Sequence, residues 1–488
     1  MKTIELPPYA PTLIESTRSI GYSLETAVAD IVDNSIAAGA RNVDIFFFPV
    51  DSEYLAILDD GKGMNVDELD SAMRYGSKNP IDTRDGKDLG RFGLGLKTAS
   101  LSQCRCLTVV TKQGNRIEGR CWDIDYVIET GRWSLIMLDS AALNSIPHMA
   151  ELQDYPSGTL VVWQRLDRLK NKEIDFELSL GRKLDVVRDH LSLVFHRYLN
   201  GEKGITRLNI AINKKEILAK DPFLEEKSTR PMDDETMIIH GEKIITRAYI
   251  LPHISKMTAH ERNALGGEEG LKRQQGFYVY RNKRLLIWGT WFRMMRQGEL
   301  SKLARIRVDI PNTLDELWTL DIKKSSALPP EEVRKNLKVI IERIAEHSKR
   351  TWTCRGKKEI DDRKVHLWNR MKNRDGGIYY EINREHPMVK RIFEQNSEIQ
   401  IMVNTLLKQV EVGLPLNQLY VDLNNDEQVT NECNQSENDI LVALKNMLTT
   451  QETKAQKIDF LLNIKNVEPF AQYPSIILQL KEEISSNG

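Results

Sequence analysis

The stretch LETAVADIVDNSIAAGARNVDIFFFPVDSEYLAILDDGKGM, residues 24–64, decides the fold. Its first part, 24–38, reads as a helix. Leu24, Val28, Ile31, Val32 and Ser35 fall on one face, and Ala27, Asp30, Asp33, Asn34 and Ala37 on the other. Gly39 is the expected stop, because glycine accepts the left-handed conformation that ends many helices. Two runs rich in aromatic and branched residues follow, VDIFFF (43–48) and YLAIL (54–58), separated by the turn-like Pro49-Val50-Asp51-Ser52. The second run leads straight into Asp59-Asp60-Gly61-Lys62-Gly63. A helix, a strand pair and a glycine-rich bend in this order predict an α+β domain.

Outward from this stretch, residues 65–75 read as a helix with Asn65 as its N-cap. The polar segment 76–90 reads as a loop, and GRFGLGLKTAS (90–100) as a glycine loop turning into a helix. Strands are expected over 105–111, 116–123 and 159–163. Residues from about 175 to 345 read as a second α/β unit, with strands in 277–288 and 304–310 and a helix over 329–350 that starts at proline. A Lys/Arg-rich stretch runs to about 375. A mostly helical region follows, interrupted by the acidic, Asn-rich linker 424–439.

Composition narrows the function. The formal net charge of -1 gives no global field toward nucleic acid, so only local basic patches can serve that purpose. No apolar run of about 18 residues predicts a membrane span, and MKTIELPPYAPT lacks the apolar core of a signal peptide. The five cysteines, Cys104, Cys106, Cys121, Cys354 and Cys433, fit neither a zinc ribbon nor a disulfide framework. Cys104 and Cys106 read as structural thiols in a strand. A cytoplasmic protein is the expectation.

Three separated motifs carry chemistry. Asp30 and Asn34, four apart on a helix, lie side by side. There a carboxylate can orient a water for attack on a γ-phosphate, and a carboxamide oxygen can hold Mg²⁺; the alternative is a solvated polar face. Asp59, at a strand end before Gly61 and Gly63, can accept the exocyclic amine proton of adenine while the glycines admit a flat base; the alternative is an ordinary Asp-Gly turn. In Gly90-Arg91-Phe92-Gly93-Leu94-Gly95-Leu96-Lys97, backbone N–H groups at a helix start can meet phosphate oxygens, with Lys97 adding a charge. The last motif is no P-loop, because Leu96 separates Gly95 from Lys97.

Order and spacing carry a resemblance. AVADIVDNSIAAGA (27–40), LDDGKGM (58–64), GRFGLG (90–95) and Gly158-Thr159 are similar to the four nucleotide boxes of the GHKL superfamily, which includes gyrase B, MutL, MORC proteins, heat-shock chaperones and histidine kinases. The resemblance implies a Bergerat-type α/β sandwich that binds ATP with Mg²⁺. It places Asp59 on the adenine amine with help from Thr159, and Gly61 and Gly63 along the base. Asn34 falls on Mg²⁺, Gly90, Gly93, Gly95 and Lys97 on the phosphates, and Asp30 in the place of the catalytic base. Hydrolysing members carry Glu there. The shorter Asp sets its carboxylate back by about 1 Å, a misplacement that can cost roughly 100-fold.

MORC and MutL proteins are the nearest in arrangement, and a prokaryotic member with a defence role is expected by analogy. The resemblance implies domains at 1–170 (ATP-binding, with an N-terminal strap), 175–345 (a ribosomal-S5-like transducer) and 346–488 (a basic linker and mainly helical region). GFYVYRNKRLLIWGTW (276–291) looks like the transducer strand pair. LWTLDIKKSSALPPEE (317–332) is the expected place of a lysine that reaches the γ-phosphate, Lys324 first and Lys323 second. The function implied is an ATPase acting as an ATP-gated homodimeric clamp. Its target is expected to be DNA, held by Arg281, Lys283 and Arg284 of one turn and by the basic stretches 349–358 and 363–374 with Trp352 and Trp368. The alternatives are a protein partner docked on the C-terminal region, with the basic stretches a solvated helix surface, and a nucleotide-binding scaffold with negligible hydrolysis.

Overall fold

The computed structural model describes residues 3–4, 6, 8–19, 21–49, 52–76, 95–170, 176–229, 232–267, 270–298, 301–314, 318, 329–353, 365–372, 378–393, 397–416, 418–419, 437–449, 451, 453–467 and 469–486. The loop expected at 76–90, Gly90, Gly93, Lys323, Lys324, Cys354, Cys433 and most of the linker 424–439 lie outside these residues. The chain divides into two compact units, 1–355 and 356–488.

The first unit is α+β. Helices α1 (Ala10–Arg18) and α2 (Leu24–Ala37) precede strands β1 (Asn42–Phe48) and β2 (Tyr54–Asp59). Helices α3 (Val66–Met73) and α4 (Gly95–Leu101) lead to β3 (Cys106–Gln113), β4 (Arg116–Asp123), β5 (Ile136–Met137) and β6 (Ser157–Gln164). Asn65 caps α3 in a capping box with Glu68, each side chain bonding the other's backbone N–H. With β7 (Asn209–Ile212) and β8 (Lys215–Glu216), the strands form an eight-stranded sheet in the order β5-β4-β3-β6-β2-β1-β7-β8. All pairs are antiparallel except β1–β7. The last two strands of this sheet thus come from residues beyond 170.

The apolar run 54–58 is continuous because both faces of the sheet are covered. Leu55 and Ile57 face the core shared with α2 and the helix Phe176–Val194, while Ala56 and Leu58 face Met149 and Leu152 of the helix Met149–Asp154. Helix α2 is buried over most of its surface, Asp30 and Asp33 included, and Asn34 is exposed. Each buried Val or Ile of this helix contributes about 1.5–3 kcal/mol. Helix α1 is tied to its own chain by Arg18, which donates to Leu101 O at 2.7 Å and pairs with Asp167 at 2.6 Å.

A second sheet of five strands follows, built from β9 (Glu235–Ile239), β10 (Glu242–Ile250), β11 (Gly276–Arg281), β12 (Arg284–Thr290) and β13 (Ala304–Ile310), in the order β12-β11-β13-β10-β9. Helix Glu331–Thr353 packs Val333, Leu337, Ile340 and Ile344 against it. The β11–β12 hairpin turns at Asn282 and Lys283, both with positive φ (47° and 66°). Such values suit the two-residue hairpin turns that match strand twist. His196 Nε2 lies 2.7 Å from Tyr280 Oη, and Tyr198 Oη donates to Asn282 O at 2.6 Å. These bonds join the segment after the long helix to the second sheet.

The expectation of a basic, phosphate-facing turn at 281–284 is corrected. Arg281 and Arg284 are 1% and 4% exposed, and the Lys283 ammonium donates to Lys203 O at 2.9 Å. β11 is buried along its whole length and draws Arg281 inward, and Asp33 holds Arg284.

The second unit is mostly helical. Helices Glu437–Leu448, Lys454–Ile464 and Pro474–Ser486 share a core of Leu444, Leu461, Phe470 and Leu480. Within the basic stretch 363–374, the alternative of a solvated helix surface does not hold at 368–372, which form a strand, β14 (Trp368–Lys372), paired antiparallel with β15 (Ile378–Ile382). No helix among the described residues is long and apolar enough to cross a membrane.

Candidate functional site

Register across the first sheet assembles one end of the candidate site. Asp59 on β2 is opposite Thr159 on β6, and Thr159 is opposite Thr111 on β3. Opposed residues share a face, so one carboxylate and two hydroxyls form a row beneath α2. Asp59 is 5% exposed; Ser35 Oγ donates to its Oδ2 at 2.8 Å and Gly61 N to its Oδ1 at 2.9 Å. Burial pushes its carboxyl up to about 6, against the opposing pull of the Gly61 and Ser35 hydrogen bonds. Asp60 does a different job. Its carboxylate accepts from Arg41 N, Asn42 N and Asn42 Nδ2, pinning the start of β1 to the end of β2.

The glycines are required by close approach. A Cβ on Gly61 would lie 2.8 Å from both Ala38 Cβ and Asp59 Oδ1. Gly63 has φ +67°, and a Cβ there would meet Lys112 O at 2.1 Å. A Cβ on Gly158 would sit 2.3 Å from Asp59 O. Thr111 Oγ1 accepts from Met64 N at 2.8 Å, and Ser157 Oγ donates to Gly61 O at 2.8 Å. The bend after β2 is therefore clamped against β3 and β6.

The other end of α2 carries Asp30. It is 5% exposed and accepts from Tyr22 Oη at 3.0 Å. Gly95, at the start of α4, is close enough that a Cβ on it would be 3.7 Å from Asp30 Oδ2. The end of the glycine loop is thus beside the carboxylate. Asn34 is one turn further along α2 and exposed. Lys97 is 1% exposed; its Nζ donates to Ala72 O at 2.7 Å, and burial lowers its pKa to about 8.

Three participants were not assigned to this site from the sequence. Ser35 reads as part of the apolar stripe, yet its hydroxyl holds Asp59. Thr111 is hidden inside a strand. Arg284 reads as part of a nucleic-acid turn, but its guanidinium lies at α2, with Nε 2.8 Å from Asp33 Oδ2 and Nη2 3.8 Å from Asp30 Oδ1. Of these, only Ser35 left a signal, a hydroxyl in an otherwise apolar face directly after Asn34.

Residues 22–159 match the family model described as Histidine kinase-, DNA gyrase B-, and HSP90-like ATPase. This segment is a GHKL ATPase domain. The match starts at Tyr22, the partner of Asp30, and ends at Thr159, the partner of Asp59. The chain is similar to ATPase morc-1 of Caenorhabditis elegans, 35% identical over 89 residues, which are 18% of this chain and 10% of that protein. It is also similar to the putative MutL protein homolog 1 of Schizosaccharomyces pombe, 32% identical over 105 residues, 21% of this chain and 15% of the other. A solved structure described as the N terminal domain of a DNA repair protein overlays 70% of this chain and 98% of its own, at 16% identity and a TM-score of 0.43. The chain thus spans a small part of the curated relatives it matches.

Proposed function

We propose that the chain binds ATP with Mg²⁺ and hydrolyses it slowly, closing as a homodimeric clamp. The observation that carries this reading is the buried Asp59 carboxylate, held by Ser35 and Gly61 in a row with Thr159 and Thr111. Such a carboxylate accepts the adenine amine proton, and Gly61 and Gly63 leave room for the base. Gly90, Gly93 and Gly95 bring backbone N–H groups to the phosphates, and Lys97 reaches them by exchanging Ala72 O for a phosphate oxygen. Asn34, exposed one turn from Asp30, suits Mg²⁺, which is commonly held by one or two protein oxygens together with phosphates and waters. Asp30, oriented by Tyr22, takes the role of base.

In this reading residues 1–170, completed by β7 and β8, are the ATP-binding domain, 175–345 the S5-like transducer and 346–488 the linker and helical region. Lys324, or its neighbour Lys323, reaches the γ-phosphate from the transducer. Ile4, Leu6 and Tyr9 are 80%, 78% and 64% exposed, an apolar N-terminal strap that a second copy can cover. The clamp's target is DNA, which would be held by the basic stretches 349–358 and 363–374, since Arg281 and Arg284 are buried and Lys283 is bonded to Lys203 O.

The test is calorimetry and light scattering with a non-hydrolysable ATP analogue, alongside steady-state hydrolysis. Wild type should bind and dimerise; Asp59→Asn should do neither; Asp30→Ala should bind, dimerise and not hydrolyse. Unchanged affinity in Asp59→Asn would sink the pocket. Lys324→Ala should weaken ATP-driven closure while sparing ADP affinity; a selective effect in Lys323→Ala alone would move the role to that residue. A second reading, a nucleotide-binding scaffold for a protein partner, is favoured by Asp in place of Glu at position 30. It predicts binding and dimerisation with no turnover, and no gain from Asp30→Glu.

A further inference from the structure

Cys106 opens β3 and Cys121 lies within β4. The antiparallel register sets Cys106 opposite Asp123 and Cys121 opposite Thr108, so the two cysteines are diagonal neighbours on one face of the sheet. Their Sγ atoms are 3.4 Å apart. Cys121 is buried, whereas Cys106 is half-buried in a cleft lined by Ser52, Glu53, Asp123, Gln164 and Arg165. Arg165 reaches that cleft from a left-handed backbone (φ 54°), and its guanidinium is fixed by Asp123 at 2.6 Å and Asp125 at 2.5 Å. The Cys106 thiol itself donates to Gln164 Oε1 at 3.8 Å.

A partly exposed thiol beside a cation, with a second thiol in contact, is the setting in which a cysteine acts as a nucleophile and its neighbour resolves the product. We propose that Cys106 is an oxidation site that reacts with hydroperoxides, with Cys121 as its resolving thiol. The Cys106 thiolate attacks one peroxide oxygen; the S–O bond forms, the O–O bond breaks, and the departing hydroxide takes a proton to become water. Cys121 sulfur then attacks Cys106 sulfur. The S–S bond forms, the S–O bond breaks, and hydroxide leaves with the Cys121 proton as a second water. Two thiols lose two electrons in all, and the peroxide gains them. Closing the pair to the S–S bond length of about 2.05 Å requires a short approach, and Cys106 can make it as the first residue of its strand.

The proton positions agree with this assignment. The Cys121 hydrogen bond, then Arg165, hold the Cys106 thiol below the ordinary range, while Cys106 and burial push Cys121 up. Cys104 is a bystander. It is fully buried, its thiol donates to Ser100 O at 3.2 Å, and burial pushes it well up. The proposal stands independently of the nucleotide site.

The experiment treats the reduced full chain with hydrogen peroxide at low excess, alkylates the remaining thiols, and maps tryptic peptides. Cleavage after Arg105 and Arg120 puts Cys104, Cys106 and Cys121 on separate peptides. The expected product is the pair of peptides beginning at Cys106 and Cys121 joined by a disulfide and released by a thiol reductant. In Cys121→Ser, a dimedone-type probe should trap the sulfenic acid at Cys106. The proposal is overturned if Cys106 and Cys121 stay reduced at a dose that oxidises Cys104, Cys354 or Cys433, or if the sulfenic acid appears on another cysteine. The wild-type map decides the matter even if the variant does not fold.

Discussion

Arg284 on β12 donates through Nε to Asp33 on α2, 2.9 Å from Oδ1 and 2.8 Å from Oδ2, with both side chains nearly inaccessible to solvent. The pair links the second sheet to the helix that carries Asp30 and Asn34. Removing one partner takes this ion pair from the other buried charge, which costs about 3–5 kcal/mol. Arg284→Met and Asp33→Leu should each destabilise the first unit by that amount in denaturant titration. The double variant should recover a large part of the loss, because an apolar pair of similar volume replaces the ion pair. Additive losses would show that the two residues act separately.

The glycines of the site separate strain from contact. Gly39 and Gly63 both have positive φ, +77° and +67°, but a Cβ on Gly39 meets nothing whereas one on Gly63 meets Lys112 O. Gly39→Ala should therefore cost only the left-handed backbone penalty, about 1–2 kcal/mol, with nucleotide affinity intact. Gly63→Ala must also push β3 away from the bend, and should lose nucleotide binding as well as stability. Equal effects in thermal melts and calorimetry would mean that the close approach to β3 carries no function.

The stretch around Asp59 was legible as structure because its parts are short and local. Asp59, Gly61 and Gly63 follow a strand within five residues, and the fold of that stretch could be read from its period. Two features were not legible, for physical reasons. Asp33 lies 251 positions from Arg284, and no local pattern reveals a partner brought by a second sheet, so Asp33 reads only as part of the helix face that carries Asp30 and Asn34. The turn at 281–284 reads as a basic surface because charge suggests solvent, but β11 is buried throughout and its arginine is drawn inward. The strand at 368–372 was hidden for the opposite reason. Its charged residues carry no apolar alternation strong enough to mark a sheet.

The inward arginines Arg281 and Arg284 change where DNA is to be sought on the protein. Lys283 already bonds Glu202 at 3.3 Å and Lys203 O at 2.9 Å. Lys283→Ala should leave DNA affinity and its salt dependence unchanged. Neutralising Lys357 and Lys358, within the basic stretch 349–358, should flatten the slope of log affinity against log salt by roughly 0.9 for each phosphate that is no longer neutralised. Electrophoretic shifts across a salt series measure both. A flattened slope in Lys283→Ala would return the turn to the interface.

Asp59 makes the most specific demand on pH. Its carboxyl is raised from the ordinary 3.8 to about 6, chiefly by burial. Between those values the folded chain keeps a proton that the unfolded chain has released. By linkage, stability must then fall as pH rises through the window and level off above pH 6. The rise from 3.8 to about 6 corresponds to on the order of 3 kcal/mol. Asp59→Asn carries no titrating group, and its amide oxygen can still accept from Ser35 or Gly61. Without nucleotide, the variant should melt at a higher temperature than wild type at pH 7.5 and lose that advantage by pH 4. With ATP the order should reverse at pH 7.5, because wild type gains binding energy that the variant cannot. Wild-type ATP affinity should itself weaken below pH 6, as the acceptor for the adenine amine becomes protonated. Melting curves at the two pH values, each with and without ATP, contain the whole argument. A variant less stable than wild type at pH 7.5 in the absence of ATP would mean that the buried carboxylate is stabilised by its hydrogen bonds more than it is penalised by burial.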